Sequence, residues 1–366
     1  MKLLKLINEL IKIKSEVNTF PKLNECIDFC ENYFLNKKVF IKKVKYNNYP
    51  SIFISNQNTL ECDVISVGHI DVIPADDKMF SIDIRNHKMY GRGVADMKSC
   101  VAVGIKNLEY IIDNNINIKY GLLIVSDEEN GGFNGTNYWV NELGLKAKVA
   151  LDPDGGESIN YIVEKSKGVA IAKIISQGKS AHGSKPWLGI DAVENLINVL
   201  NKLRSIFPYY SQDNLPESNF VSTMNVGLIK GGEASNQVAN YAEAVLNFRI
   251  IENESVNSIK EKITNCLNKY TSFEILASTE PTTRDKQNSL MKKYQNSITQ
   301  VVGKSYFKNY DCASDGRFFH NKGAVLITHQ ANCGNHHSDA EWIDLKSLYQ
   351  FKKIQLNFLI NFNSVI

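Results

Sequence analysis

Five short stretches of the chain carry side chains able to hold a cation or move a proton. His69 and Asp71 lie in GHID, Asp96 in GRGVADMK, and Asp127, Glu128 and Glu129 in SDEENGG. Asp152 and Asp154 lie in LDPDGG, and His336 and His337 in GNHHSDAEW. Each feature alone has an ordinary explanation. A histidine ending a strand is usually structural, an aspartate before a helix is a good N-cap, and acidic runs are usually solvated. Their shared placement argues for chemistry. Three consecutive acids after GLLIVS put at least one carboxylate at a strand end, pointing inward. Clustered carboxylates repel and are costly to bury unless cations neutralise them. Two histidines with three carboxylates form a nitrogen and oxygen donor set that suits zinc.

Such residues need strands and helices to hold them. VISVGHIDVI (64–73) is an apolar run rich in β-branched residues, and GLLIVSD (121–127) and KVALDPDG (148–155) are short apolar runs that end in acids. MKSCVAVGIKNLEYIIDN (97–114) has helical periodicity. Alternating strands and helices predict an α/β fold with a mostly parallel central sheet and helices on both faces. In such sheets ligands bind beyond the carboxyl ends of the strands, where these acids and histidines fall.

The middle of the chain reads differently. A strand (169–178), a helix (189–207), two strands (221–232 and 238–250), a helix (255–270) and a strand (272–278) follow in order. That is the order of a split βαβ, ferredoxin-like module. The α/β pattern then resumes with a helix (290–302), a strand (324–330) and a final helix (344–362). The small module is therefore expected as an insertion with borders near 165 and 280.

With 366 residues, 43% of them hydrophobic, the chain can bury a large core and is expected to form two domains. A net charge of +3 with 22% charged residues gives no concentrated basic face, so no nucleic-acid partner is expected. Seven cysteines, an odd number without a CxxC, predict reduced thiols in a cytosol rather than a disulfide framework. Leu3, Leu6, Ile7, Leu10 and Ile13 share one face of an amphipathic first helix, broken by charges too often for a signal peptide. No run approaches the ~20 apolar residues of a membrane span.

GHIDVIP, GRGVADMKS, SDEENGG, SAHGSKP, ASDGRF and HHSDAEW occur in this order between residues 69 and 341. As a set they resemble the dizinc metallopeptidase family of succinyl-diaminopimelate desuccinylase, acetylornithine deacetylase, aminoacylase, peptidase T and glutamate carboxypeptidase. The resemblance implies a zinc-peptidase-like catalytic domain from residues 1–165 and 280–366, and a ferredoxin-like α+β lid and dimerisation domain at 166–279. It implies two divalent metal ions in one site, zinc first, with cobalt or manganese as alternatives. His69 and Asp152 would bind one metal, Glu129 and His337 the other, and Asp96 would bridge them. Asp71 would hydrogen-bond the His69 ring and fix its tautomer. Glu128 would be the general base that takes a proton from the metal-activated water. His337 is preferred because the family's ligand typically lies four residues before a glutamate, here Glu341, although the doubled histidine leaves His336 open. The resemblance also implies a cis Asp96–Met97 peptide. His182 would donate to the oxyanion from the lid, and in dimeric relatives this histidine reaches the partner's site, so a homodimer through the lid is expected. Asn236 and Arg249 resemble lid residues that hold a substrate carboxylate, and Arg317 in SDGRF has similar standing.

Three departures leave the substrate open. Asp152 stands where desuccinylase-type deacylases usually carry glutamate, KSKG with Lys165 and Lys167 replaces a basic pair, and CASD replaces Gly-Thr-Ser-Asp. NFRI and SDGRF point back towards the deacylases. The expected activity is metal-dependent hydrolysis of an amide bond in a small N-acyl amino acid or short peptide, in the cytoplasm. The alternative from another class is a catalytically inactive metal-binding scaffold or interaction protein. Loss of the base or a ligand would mark that, and none is lost.

Overall fold

The computed structural model describes residues 1–363, so the last three residues of the expected 280–366 segment lie outside it. The chain forms two compact units. The first comprises Met1–Glu164, Arg284–Lys308 and Ser314 onward; the second comprises Lys165–Thr283 with Asn309–Ala313. Residues Asn309–Ala313 lie outside the 166–279 segment yet group with the second unit. Lys167 explains this, because its amide donates to Tyr310 O at 3.3 Å and its ammonium pairs with Asp311 at 2.9 Å.

The first unit is α/β. Its six-stranded sheet runs in the order Phe40–Tyr46, Tyr49–Ser55, Tyr120–Val125, Glu61–His69, Lys146–Asp152, Val325–Thr328. The last four strands are parallel. The first two form an antiparallel edge hairpin. All six residues of Tyr120–Val125 are buried, as a strand covered on both faces requires. Alternate residues feed two cores. Leu122 and Ile124 join a core packed with Leu6, Leu10, Val101, Leu108, Ile298 and Phe351, whereas Leu123 and Val125 join one with Trp139, Phe318 and Phe319. Helices therefore cover both faces. Cys26 and Cys30 sit buried on one face of helix Phe20–Tyr33, as packing residues.

Two features escaped the sequence. The edge hairpin turns at Asn47 and Asn48, both at positive φ (46° and 72°), between the facing pair Tyr46 and Tyr49. That is the two-residue loop in which asparagine tolerates left-handed backbone. A small antiparallel sheet also joins Asp83–Arg85 and Lys88–Tyr90 to Trp342–Asp344 and Cys333–Gly334, with Trp342 opposite Tyr90. It brings GRGVADMK beside HHSDAEW.

The second unit has an antiparallel sheet ordered Thr223–Gly231, Tyr241–Ile250, Gly168–Gln177, Thr271–Thr279. Helices Ala192–Ile206 and Val256–Cys266 share one core with its inward residues, among them Ala172, Ile174, Ala244 and Phe248. Gly168–Gln177 alternates buried and half-buried residues, the period of a strand covered on one face. Both helices start where their caps dictate. Asp191 accepts from the amides of Val193 and Glu194, and Ser255 forms a reciprocal capping box with Ser258. The second helix stops at Cys266, short of the expected 270, because Leu267 is extended and Asn268 opens the turn into the next strand.

Candidate metal centre

The C-terminal ends of the parallel strands assemble the centre within the first unit. Glu61–His69 ends on His69, which is 1% exposed. Its Nδ1 lies 2.9 Å from the backbone carbonyl of Asp71 and 3.4 Å from that residue's Oδ1. The closer group is the carbonyl, which can only accept, so Nδ1 carries the proton and Nε2 is left to bind. Asp71 instead uses Oδ2 to accept the amide of Glu129 at 3.0 Å, tying the first strand end to the SDEENGG loop.

Asp96 precedes helix Lys98–Asp113, across a cis Asp96–Met97 peptide. Its Oδ1 is 3.0 Å from His69 Nε2, and its Oδ2 is 3.1 Å from His337 Nε2. Glu129 Oε1 lies 3.2 Å from the same His337 nitrogen. Two groups result. His69, Asp96 and Asp154 form one, Asp96, Glu129 and His337 the other, and within each the ligand atoms lie within 4.8 Å of one another. Asp96 belongs to both.

The structure groups a different acid with the first pair than the resemblance implies. Asp154, not Asp152, joins His69 and Asp96. Asp152 is the last residue of strand Lys146–Asp152 and its carboxylate is spent on a neighbouring segment. It accepts from Ser314 Oγ at 2.5 Å and from the Gly316 amide at 2.8 Å. Asp154 lies beyond Pro153, past the strand, where the chain can turn its side chain to the centre. Of the two adjacent histidines, His337 sits with the carboxylates. His336 turns aside, Nδ1 3.6 Å from Glu157 and Nε2 3.7 Å from Cys333 Sγ.

Arg317 lies behind the SDEENGG loop. It is buried, donates to Gly131 O at 2.6 Å and pairs with Asp315 at 3.4 Å. Asp315 in turn accepts from Thr136 Oγ1 at 2.6 Å. A Cβ on Gly132, at φ +67°, would fall 1.9 Å from Asp315 Oδ1, so only glycine fits there. ASDGRF therefore braces the SDEENGG loop from behind, with Arg317 part of that brace.

The remaining expected residues lie in the second unit. His182 pairs with Gln237 in an isolated bridge, and Gly183 N donates to Asn236 O at 2.7 Å, so the structure brings His182 and Asn236 together. His182 is exposed, and its Nδ1 accepts the Ser184 amide at 3.1 Å. A backbone amide can only donate, so a neutral ring carries its proton on Nε2. Arg249 is separated from these two. It lies eight residues beyond Tyr241 along strand Tyr241–Ile250, about 26 Å at ~3.3 Å per residue. The ladder continues past the Tyr241 end, through Gly178–Asn240 and Ala181–Val238, to His182.

The signature described as Peptidase family M20/M25/M40 matches residues 65–361. The chain belongs to that family. It is accordingly a metallohydrolase of amide or peptide bonds. An uncharacterised metallohydrolase from Methanocaldococcus jannaschii is 27% identical over 308 residues, covering 75% of this chain and 74% of that protein. An acetylornithine deacetylase from Buchnera aphidicola subsp. Schizaphis graminum is 24% identical over 380 residues, covering 98% and 97%. The solved M20-family metallo-carboxypeptidase from Sulfolobus solfataricus shares the fold with a TM-score of 0.79 at 18% identity, covering 98% of this chain and 99% of that one.

The electrostatics of this family member's centre call for cations. Burial, then Asp154, pushes Glu128 well above the ordinary carboxylate range; burial, then Asp96, does the same to Asp154. Burial and Asp315 raise Asp127 to about 7. Burial raises Asp152 to about 6 against its two hydrogen bonds. Contacts to Asp96 and then Glu129 lift His337 to about 10. Burial alone would depress His69, but Asp71 and Asp96 outweigh it and raise the ring. The shared imidazole and carboxylate donors fit two divalent ions with Asp96 between them.

Asp154 and Glu341 are the residues that sequence reasoning underweighted. Asp154 was visible as the second acid of LDPDGG. Glu341 was visible only as a spacing marker after the histidines.

Proposed function

We propose that this chain hydrolyses an amide bond in a small N-acyl amino acid or short peptide, using Glu128 as general base beside a two-metal centre. The observation that supports this most is the pair of three-residue groups sharing Asp96. Two zinc ions, with cobalt or manganese as alternatives, held by His69, Asp154 and Asp96 and by Asp96, Glu129 and His337, would acidify a water and polarise the scissile carbonyl. Asp71 holds His69 through its carbonyl and fixes the tautomer that leaves Nε2 to bind. Glu128, which with Glu129 follows strand Tyr120–Val125, accepts the proton of the attacking water and returns it to the leaving amine.

In the second unit, we assign His182 as donor to the developing oxyanion, through Nε2–H, and Asn236 and Arg249 to the substrate. The unit would serve as lid and dimerisation domain. Arg249 stands about 26 Å from the end of the ladder that leads to His182 and Asn236, so one small substrate cannot touch both ends of a single copy. This supports a homodimer in which the two ends come from different copies. The edge strand Thr223–Gly231 carries Leu228 and Ile229, 60% and 58% exposed, as surface a second copy would cover. Among the described residues no helix is long and apolar enough to cross a membrane.

The test is a hydrolysis screen of zinc-loaded protein against N-acyl amino acids, dipeptides and tripeptides. Turnover confined to acylated substrates assigns a deacylase, and turnover confined to peptides with a free amine assigns a peptidase. No turnover of any with two metals bound refutes the assignment.

A further inference from the structure

Glu341 is fully buried and belongs to neither ligand group. All its acceptor capacity goes to one loop. Oε2 accepts from Arg92 Nη1 at 2.7 Å and from Gly93 N at 3.1 Å; Oε1 accepts from Ala95 N at 2.9 Å and from Asp96 N at 3.1 Å. Three backbone donors and a guanidinium therefore converge on one carboxylate. Such convergence requires the loop to curl around it, and Gly93 at φ +83° supplies the curl. The pairing of Trp342 with Tyr90 delivers both partners, since Glu341 precedes one strand and Gly91 follows the other.

The loop so held ends at Asp96, whose two oxygens face His69 and His337. Glu341 lies four residues after His337, so one side chain ties the His337 segment to the Asp96 segment. Without it, three loop amides would lose their acceptor, and the one other side-chain hold described beside Asp96 is Gln330, whose Nε2 donates to Ala95 O. We propose that Glu341 is a positioning residue that aims Asp96 at both metal positions and thereby sets the affinity of both. This rests on the reading of the two groups as metal ligands.

The test measures zinc affinity by competition with a chromophoric chelator, alongside thermal melts of the metal-free proteins, for wild type, Glu341→Gln and Glu341→Asp. The glutamine keeps the shape but turns an amide N–H towards donors, and the aspartate keeps the charge but shortens the arm. Loss of an outer partner of a metal ligand typically costs about 10–100-fold in metal affinity, and because Asp96 is shared, both zinc equivalents are expected to weaken by that order. At saturating zinc, kcat is expected to fall with little change in KM. A merely structural glutamate would lower the metal-free melting temperature and leave zinc affinity unmoved, and that result overturns the proposal. If Glu341→Gln does not fold, Glu341→Asp decides by the same affinity criterion. Wild type that takes up no zinc overturns the metal-centre reading itself. Wild type that takes up two, with the variants equally tight, overturns only the role of Glu341.

Discussion

Replacing Asp154 and Asp152 separately by asparagine separates two carboxylates that stand only two residues apart. Asp154 offers one of three ligand atoms in its group, with His69 and Asp96. Losing an outer partner of a ligand costs about 10–100-fold in affinity, so losing a ligand should cost at least about 100-fold at that position, or ~2.7 kcal/mol at 1.36 kcal/mol per decade. In dialysis against free zinc at about ten times the wild-type Kd, occupancy of that position falls from about 0.9 to about 0.1. Asp154→Asn should therefore retain one zinc per chain, by elemental analysis, where wild type retains two. Asp152 makes two hydrogen bonds, to Ser314 and Gly316, and no ligand contact. Asparagine can still accept both through its oxygen but forfeits their charge assistance, a loss of about 1–2 kcal/mol. Asp152→Asn should melt a few degrees lower and still bind two zinc ions. The reverse pattern, one zinc in Asp152→Asn and two in Asp154→Asn, would refute this grouping.

Glu128→Gln is expected to bind two zinc ions and lose about 10²–10⁴-fold in kcat; near wild-type turnover removes Glu128 from the role of base. The metal-free centre holds extra protons, with His337 raised to about 10 and Glu128 and Asp154 raised above the carboxylate range. A raised histidine stabilises the metal-free fold below its ordinary pKa of ~6.5 and loses that effect as pH climbs through about 10. Zinc requires it neutral, so zinc binding at pH 7 should expel at least about one proton and tighten with rising pH. Calorimetric titrations whose heat does not depend on the buffer's ionisation enthalpy would contradict this. Mixing inactive His182→Ala and Arg249→Ala proteins under subunit exchange should restore activity, because a mixed dimer contains one intact site; no recovery excludes sharing between copies.

Much of the fold was legible because its cause is local. The four parallel strands announce themselves as short apolar runs, two of them ending in acids, and the second unit by its order of strands and helices. The edge hairpin was also written locally, in Asn47–Asn48 between alternating residues, and was passed over. The small sheet was not legible. Its strands are two or three residues long, too short for any period, and Lys88–Tyr90 pairs with Trp342–Asp344 across some 250 positions of chain.

The same distinction separates the candidate site residues that a strand delivers from those it does not. His69 ends a strand, and Glu128 and Glu129 follow one, so the sheet itself delivers them. Asp152 and Asp154 defeat the reasoning because residues two apart share a face in any strand; only the point where the strand stops tells them apart, and boundaries are what patterns fix least. The contacts of Arg317 and Glu341 escape sequence patterns for a different reason. An arginine or glutamate beside a site has the same letter whether it touches substrate or braces a loop. Its partners decide, and here they are mainly backbone atoms: Gly131 O for Arg317, and the amides of residues 93, 95 and 96 for Glu341. Backbone groups carry no residue identity, so no sequence motif can name them. Candidate ligands are readable from side-chain chemistry, short of the choice between Asp152 and Asp154, whereas the groups that brace them are readable only once the chain is folded.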